Sequence, residues 1–223
     1  MAEDIKEKFR NLWTELKAGN WDYLLDAVAA RLPSWLFSYY HCVLVVTDKI
    51  DLPVVEQPGF FKRFITLDDL DRLEEFGTPK GLTRARLKAG YRAAIVGKGD
   101  EIMSIVWGAP GNDRYPGEDG FILYRAYTRR DYRQRGLVYI AYQELYDSYA
   151  AEGKYLAYGV INRLNKRSFV VHKKFNFKDV GDFIYMTLFG LGLCIYSKWP
   201  FPTSKIQLFL KKPPHNKRLW FLP

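Results

Sequence analysis

The N-terminal part of the chain carries apolar residues spaced three and four apart among charged ones. This spacing predicts an amphipathic helix over residues 4–17, because one helical face then collects the apolar side chains. A second short helix is predicted over 21–32, and Pro33 ends it because proline cannot continue a helix. Residues 36–46 form an uncharged run rich in aromatic and β-branched residues, which predicts a buried strand.

A loop that contains Pro53 and Pro58 separates this segment from the rest of the chain. Prolines favour irregular structure, and the hydrophobic pattern changes after them. We therefore predict an N-terminal helical and strand extension, residues 1–58, packed on a core domain, residues 59–223. The sequence shows no internal repeat.

The predicted core domain mixes strand-like and helix-like segments. Thr66 followed by acidic residues predicts a capped helix start, because its hydroxyl can accept from the first amides and the helix dipole favours negative charge there. The mixture predicts an α+β fold with a mixed, mainly antiparallel central sheet flanked by helices. Strands are predicted over 60–65, 91–96, 102–107, 121–127, 154–160 and two or three C-terminal segments, and helices over 83–89, 137–152 and 166–175.

The net charge of the chain favours some classes of binding partner over others. A net charge of +9 favours polyanions such as cofactor phosphates, RNA or an acidic membrane surface, and simple solubility is the alternative explanation. The basic C-terminal tail with Trp220 is one candidate for membrane contact, and a docked or frayed tail is the alternative. No apolar run reaches the roughly 18–20 residues that a membrane-spanning helix needs, and the N-terminus lacks a secretory segment. We expect a cytoplasmic protein, with any membrane contact peripheral.

The cysteine and histidine positions give no sign of a metal site. Cys42 and Cys194 lie far apart among apolar residues, and neither has metal-binding spacing, so we expect buried thiols without a disulfide. His41 lies within an apolar strand and is expected to be a core histidine with satisfied hydrogen bonds.

The most informative segment is the junction before helix 137–152. Arg133 and Arg135 can make charge-assisted hydrogen bonds with phosphate oxygens. Gly136 lets the main chain approach a ligand closely because it has no Cβ, and the helix start adds amides and a positive dipole end. These residues predict a diphosphate site, and an ordinary solvated basic loop is the competing interpretation.

A second motif follows the next predicted strand. The pair Arg133-x-x-Gly136-x-Val138 and Asn165-x-x-Ser168 resembles, in order and spacing, the two signature motifs of the GNAT acyltransferase family. The resemblance implies a GNAT-like fold with acetyl-CoA, or another acyl-CoA, bound between two strands that splay apart.

The resemblance is best over residues 119–181 and extends loosely back to Phe60. It implies that Tyr127 and Thr128 lie where main-chain groups meet the pantetheine arm and the acyl carbonyl. The remaining cofactor-binding residues that it implies are Arg133, Gln134, Arg135, Gly136, Leu137 and Val138 at the pyrophosphate, Asn165 near pantetheine, and Ser168 at the close approach of a helix.

Two positions depart from the family pattern. The family usually has Gly or Ala where this chain has Val138, and a β-branched residue there is expected to narrow the phosphate loop. Asn176 replaces the usual glycine near the end of the motif. Asparagine tolerates a left-handed conformation better than most residues, so this second change is mild.

The resemblance also suggests where proton transfer takes place. His172 occupies the position at which the family often has a tyrosine that protonates the leaving thiolate, and histidine titrates in a suitable range. The alternative is that His172 only packs near the pantetheine arm or faces solvent. Glu118 and Asp119 are candidates for the base that deprotonates an amine acceptor, and solvated loop carboxylates are the alternative.

The sequence thus predicts an enzyme that moves an acyl group from coenzyme A to an amine or hydroxyl. The acceptor is expected to be a small molecule or a peptide N-terminus. The protein is expected to be a monomer or a homodimer, and neither DNA nor a metal is expected to take part. A non-catalytic acyl-CoA-binding or protein-interaction module on the same fold is the second hypothesis. An aminoacyl-tRNA-dependent transferase is the third, which the positive charge permits and the phosphate-loop motif disfavours.

Overall fold

The computed structural model describes residues 10, 13–14, 17, 19–34, 36–50, 58–111, 119–198 and 206–209. The chain forms two compact units that are interleaved along the sequence. The first comprises Met1–Leu44, Ile161–Ser168 and Asp179–Pro223, and the second comprises Val45–Val160 and Phe169–Lys178. Most of the helix predicted over 4–17, and the basic tail after residue 209, lie outside the described residues. The boundary predicted at residue 58 stays a prediction.

Helices and strands occur close to where the hydrophobic pattern predicts them. The helices are α1 (Trp21–Ala29), α2 (Leu70–Leu73), α3 (Lys80–Lys88), α4 (Leu137–Ala150) and α5 (Lys166–Lys174). The strands are β1 (Phe37–Thr47), β2 (Phe61–Phe64), β3 (Arg92–Lys98), β4 (Glu101–Pro110), β5 (Gly120–Thr128), β6 (Leu156–Asn162), β7 (Lys178–Leu188), β8 (Leu191–Lys198) and β9 (Ile206–Phe209).

The second unit contains the part of the sheet that runs in the order β2–β3–β4–β5–β6. Strands β2 to β5 pair antiparallel, including the predicted hairpin of β3 and β4, and β5 pairs parallel with β6. A parallel neighbour requires a crossover, and α4 provides it. The predicted α+β class with a mixed, mainly antiparallel sheet is confirmed.

Helix α4 covers one face of this sheet with an apolar stripe. Leu137, Ala141 and Leu145 recur at helical spacing and are buried in one cluster. Phe121 of β5 stacks on Tyr149 with ring centroids 4.3 Å apart. The opposite face has its own apolar cluster, which includes the fully buried Trp107. Because β5 and α4 are each anchored in the core, the loop between them starts and ends on rigid elements.

A charged capping box fixes the start of the α2 region. The Thr66 hydroxyl accepts from the Asp68 amide, and the Asp69 carboxylate accepts from the Thr66 amide, as the predicted cap requires. Both Asp69 oxygens also accept from Arg63 at 2.7 Å. These hydrogen bonds hold the pKa of Asp69 below its usual range although burial acts in the opposite direction.

The first unit contains β7, β8 and β9, which pair antiparallel in that order. A two-residue turn, Phe189-Gly190, joins β7 to β8. Alternate side chains of the hairpin, among them Phe183 and Cys194, are buried. Cys42 and Cys194 are both free and buried, as predicted, and burial raises the pKa of the Cys194 thiol to about 11.

His41 is held between two carboxylates of the first unit. Its Nδ1 lies 2.7 Å from Asp22 of α1, and its Nε2 lies 2.6 Å from Asp182 of β7. Tyr39 also donates to Asp22, and Arg163 donates to Asp182. The predicted satisfied histidine is confirmed. Since both ring nitrogens face carboxylate oxygens, His41 serves as a polar clamp rather than as a base.

Candidate functional site

Strand β5 stops pairing with β6 halfway along its length. Residues 120–123 pair with residues 156–159, and the last pair joins Leu123 to Gly159. Just beyond, the β4–β5 register shifts and Arg125 has a φ of 48°, the features of a β-bulge. Arg125, Ala126 and Tyr127 are exposed although they belong to an inner strand of the sheet. The bulged half of β5 therefore presents main chain to solvent.

Side chains on both flanks hold the end of β5 in place. The Ser104 hydroxyl donates to the Tyr127 carbonyl at 3.2 Å and lies 2.9 Å from the Thr128 hydroxyl. From the other flank, Arg133 Nε donates to the Thr128 carbonyl at 3.1 Å, and its guanidinium lies 6.0 Å from the Tyr127 ring centroid. The structure thus brings together Tyr127, Thr128 and Arg133, three of the predicted cofactor-binding residues.

Gly136 forms the turn that starts α4. Its φ of 77° is left-handed, and a β-carbon there would meet only Tyr139 Cδ2, at 3.6 Å. Gln134 also has a left-handed φ, 63°, which costs a non-glycine residue about 1–2 kcal/mol. The amides of Leu137 and Val138 follow at the helix start, where amides have no partner within the helix.

This turn fits a diphosphate group. Gly136 leaves its outer side open, the first amides of α4 are the donors that anions bind, and Arg133 and Arg135 are exposed beside them. The Arg135 guanidinium lies 5.3 Å from the Tyr132 ring centroid. A coenzyme A pyrophosphate carries the charge and the acceptor oxygens that this donor set requires.

Val138 does not narrow the turn as its β-branched side chain predicts. Leu137 is buried in the core cluster, and the Val138 side chain packs against the same cluster. The cause is the phase of α4, which turns these two side chains towards the sheet. Asn176 adopts a left-handed φ of 57°, as its replacement of glycine predicts.

His172 lies where β5 and β6 separate. It is 8% exposed, and its Nε2 lies 3.2 Å from the position of a β-carbon built on Gly159, the last β6 residue paired with β5. Aromatic rings surround the imidazole, with Phe177 at 5.0 Å and Tyr142 at 6.1 Å between centroids. His172 is therefore a buried group at the end of the paired region, and its predicted catalytic role stays a prediction.

Asp119, one of the two carboxylates predicted as bases, does not lie at this point. Asp119 precedes β5 and its carbonyl accepts from the Leu156 amide, at the opposite end of the paired region. Four residues of extended strand separate Asp119 from Leu123, roughly 13 Å. Glu118 lies outside the described residues.

Asn165 and Ser168 belong to the first unit and form the start of α5. The Asn165 side-chain oxygen accepts from the Ser168 amide at 3.1 Å, which makes Asn165 a helix cap. Ser168 is partly buried. The roles that the resemblance implies for them towards pantetheine stay predictions.

Across the described ranges, no three His, Cys, Asp or Glu side chains converge as metal ligands. No helix in the described part of the chain combines the length and apolarity needed to cross a membrane.

Comparisons with known proteins were then made with the sequence and with the fold. No protein-family model matches the sequence, and no curated protein matches it either. Solved structures do match the fold. A candidate GNAT-family acetyltransferase from Novosphingobium aromaticivorans aligns with a TM-score of 0.53 at 14% identity, over 67% of this chain and 64% of that one.

Two further structures match to a similar degree. A Drosophila protein has a TM-score of 0.52 at 16% identity over 68% of this chain and 52% of its own length. A GCN5-related N-acetyltransferase-like protein from Streptococcus suis has a TM-score of 0.50 at 12% identity, over 75% of this chain and 67% of that one. This chain thus spans 64% and 52% of the first two proteins that it resembles. The protein has the fold of the GNAT N-acetyltransferases.

Proposed function

We propose that this protein transfers an acetyl or other acyl group from coenzyme A to an amine or hydroxyl of an acceptor. The observation that carries the proposal is the Gly136 turn at the start of α4, next to a strand that stops pairing at Leu123. The turn supplies amides and two arginines for a pyrophosphate, and the bulged strand supplies open main chain for the rest of the ligand.

Individual residues have different roles in the proposed reaction. Arg133 and Arg135 neutralise the pyrophosphate charge, and the amides of Leu137 and Val138 donate to its oxygens. When bound, acyl-coenzyme A supplies the thioester whose carbonyl carbon the acceptor attacks. His172, a buried ring, gives a proton to the sulfur that leaves and takes up the proton that the acceptor nitrogen or oxygen releases. A main-chain amide of β5 beyond Leu123 polarises the carbonyl oxygen.

Binding is tested by titration calorimetry with acetyl-CoA. Gly136→Asp places a side chain and a negative charge in the turn, and we expect acetyl-CoA affinity to fall by more than about tenfold. Gly153→Asp is the matched control, because Gly153 follows the other end of α4 with a similar φ of 82° and open space around it. Equal loss in both variants, or no binding by the wild type, would exclude the coenzyme A site.

Turnover separates an enzyme from a binding module. Release of free coenzyme A thiol is measured over a panel of small amines and peptide N-termini. Turnover with any member of the panel supports the transferase. Tight acetyl-CoA binding without turnover on the whole panel favours the non-catalytic module.

A further inference from the structure

Between Ile184 and Ile195, the β7–β8 hairpin of the first unit has one face made of aliphatic side chains. Opposite pairs along the hairpin place its residues on a common side of the ribbon. The pairs on this face are Ile184 with Ile195, Met186 with Leu193, and Leu188 with Leu191. The alternate positions are the buried ones, so this aliphatic side is the outer face.

Exposure is greatest at the tip of the hairpin. Leu188 is 52% exposed, Phe189 is 71% exposed and Leu191 is 56% exposed. Ile206 of β9, which pairs with Ile195, is 59% exposed. In a soluble protein, a contiguous exposed apolar patch of this kind indicates an interaction surface.

The turn residue itself is unusual for its backbone. Phe189 and Gly190 have φ values of 49° and 80°, and a two-residue hairpin turn with both values positive normally takes Asn-Gly or Asp-Gly. A bulky aromatic residue adopts this conformation at a cost. Neither local backbone preference nor burial accounts for Phe189 here.

The sequence stretches of the first unit carry a net positive charge. No Asp or Glu occurs between Asp182 and Pro223, whereas six Lys or Arg do. The segment 27–47 also lacks Asp and Glu, and it is tied to the hairpin by the Phe189 amide, which donates to the Leu36 carbonyl. The sequence stretches that make up the first unit contain 14 Lys and Arg against 8 Asp and Glu, or +6 of the chain's +9.

We propose that the aliphatic tip Leu188-Phe189-Gly190-Leu191 inserts into the surface of an anionic lipid bilayer. Apolar side chains enter the interface, and the net positive charge of the first unit is attracted to acidic headgroups. Leu188 and Leu191, which flank Phe189, favour lipid over a nucleic acid, because a nucleic acid offers bases for stacking and phosphates but no hydrocarbon. The proposal is independent of the acyl-transfer reaction.

Vesicle co-sedimentation of the full chain tests the proposal. We expect binding to phosphatidylcholine vesicles that contain phosphatidylserine, weaker binding to phosphatidylcholine alone, and a loss of binding as salt is raised. Phe189→Asn creates an Asn-Gly turn, which suits the backbone, so we expect the hairpin to stay folded while binding falls about tenfold. Val170→Gln is the control, since Val170 is 59% exposed in the second unit, and it should bind as the wild type does.

Three results would overturn the proposal. One is no binding to phosphatidylserine vesicles, and another is binding that Phe189→Asn leaves unchanged. The third is a wild-type dimer in sedimentation velocity that Phe189→Asn dissociates, which would make this face a contact between two copies of the chain. Acetyl-CoA affinity, measured on the same Phe189→Asn sample, should be unchanged, so failure here is distinguishable from failure of the proposed reaction.

Discussion

The Nε2 atom of His172 and the position of a β-carbon on Gly159 are only 3.2 Å apart. Val45 Cγ2 approaches the same position at 3.2 Å from another side. Glycine at 159 therefore lets the imidazole lie directly over the last residue pair of β5 and β6. The identity of residue 159 and the position of His172 are coupled.

Gly159→Ala should displace the imidazole and lower stability. An added methyl group in a packed site of this kind costs about 1–3 kcal/mol, and urea denaturation measures the loss. Gly81→Ala is the matched control, because Gly81 lies in α3 with no atom within 4 Å of an added β-carbon. That control should be neutral or more stable by up to about 1 kcal/mol. Equal behaviour of the two variants would contradict the close approach.

His172→Phe should lower turnover by about 10²–10⁴-fold while acetyl-CoA affinity changes little, because a proton donor is removed and the ring is kept. Thiol release and calorimetry measure the two quantities. Tyr142→Phe is the informative comparison, since Tyr142 lies beside His172 and burial raises the pKa of its phenol. If Tyr142→Phe alone reduces turnover, the acid is Tyr142.

The Arg63–Asp69 pair predicts an acid-sensitive contribution to stability. The folded-state pKa of Asp69 is lowered from 3.8, first by the hydrogen bonds from Arg63, so its stabilisation is present above pH 3.8 and is lost as pH falls through the folded value. Asp69→Asn should cost about 1–3 kcal/mol at neutral pH, with the difference from wild type shrinking below that range.

Urea midpoints measured from neutral to acid pH check this expectation. Asp71→Asn is the control, because Asp71 is 82% exposed and its partner Lys80 lies in solvent. The control should leave the midpoint unchanged at every pH. A constant difference between wild type and Asp69→Asn across the range would show that charge is not the cause.

Removal of His41 should weaken the attachment of α1. None of the α1 side chains is buried, so the hydrogen bonds of Asp22 to Tyr39 and His41 are its described polar anchors. His41→Ala leaves two carboxylates facing a gap, and we expect a loss of about 2–3 kcal/mol in a partly buried site. A double-mutant cycle with Asp22→Asn measures the coupling, and additive effects would argue against the clamp.

Local rules predicted much of this structure from the sequence. The Thr66 cap, the left-handed Asn176 and the turn at Gly136 each depend on one residue and its immediate neighbours. Apolar runs also located the strands, because a run of buried residues can be recognised without knowing the strands that pair with it.

Features that depend on strand register could not be predicted in this way. The bulge at Arg125 arises from the register of β4 and β5. No glycine or other typical turn residue at this position indicates it in the sequence. Asp119 and Thr128 bound the same predicted strand, so sequence proximity suggested one site although extended chain carries them far apart. The inward direction of Val138 could have been read from the helical phase that it shares with Tyr142 and Leu145.

The early end of the β5–β6 pairing has a consequence for ligand shape. In the described part of the chain, β5 continues five residues beyond Leu123, and its main-chain groups repeat at the spacing of a strand. A ligand with amide groups along a narrow, extended arm can pair with such a chain as though it were one more strand. If the proposed ligand binds in this way, backbone shape selects it, and many side-chain substitutions along β5 should leave that selection intact.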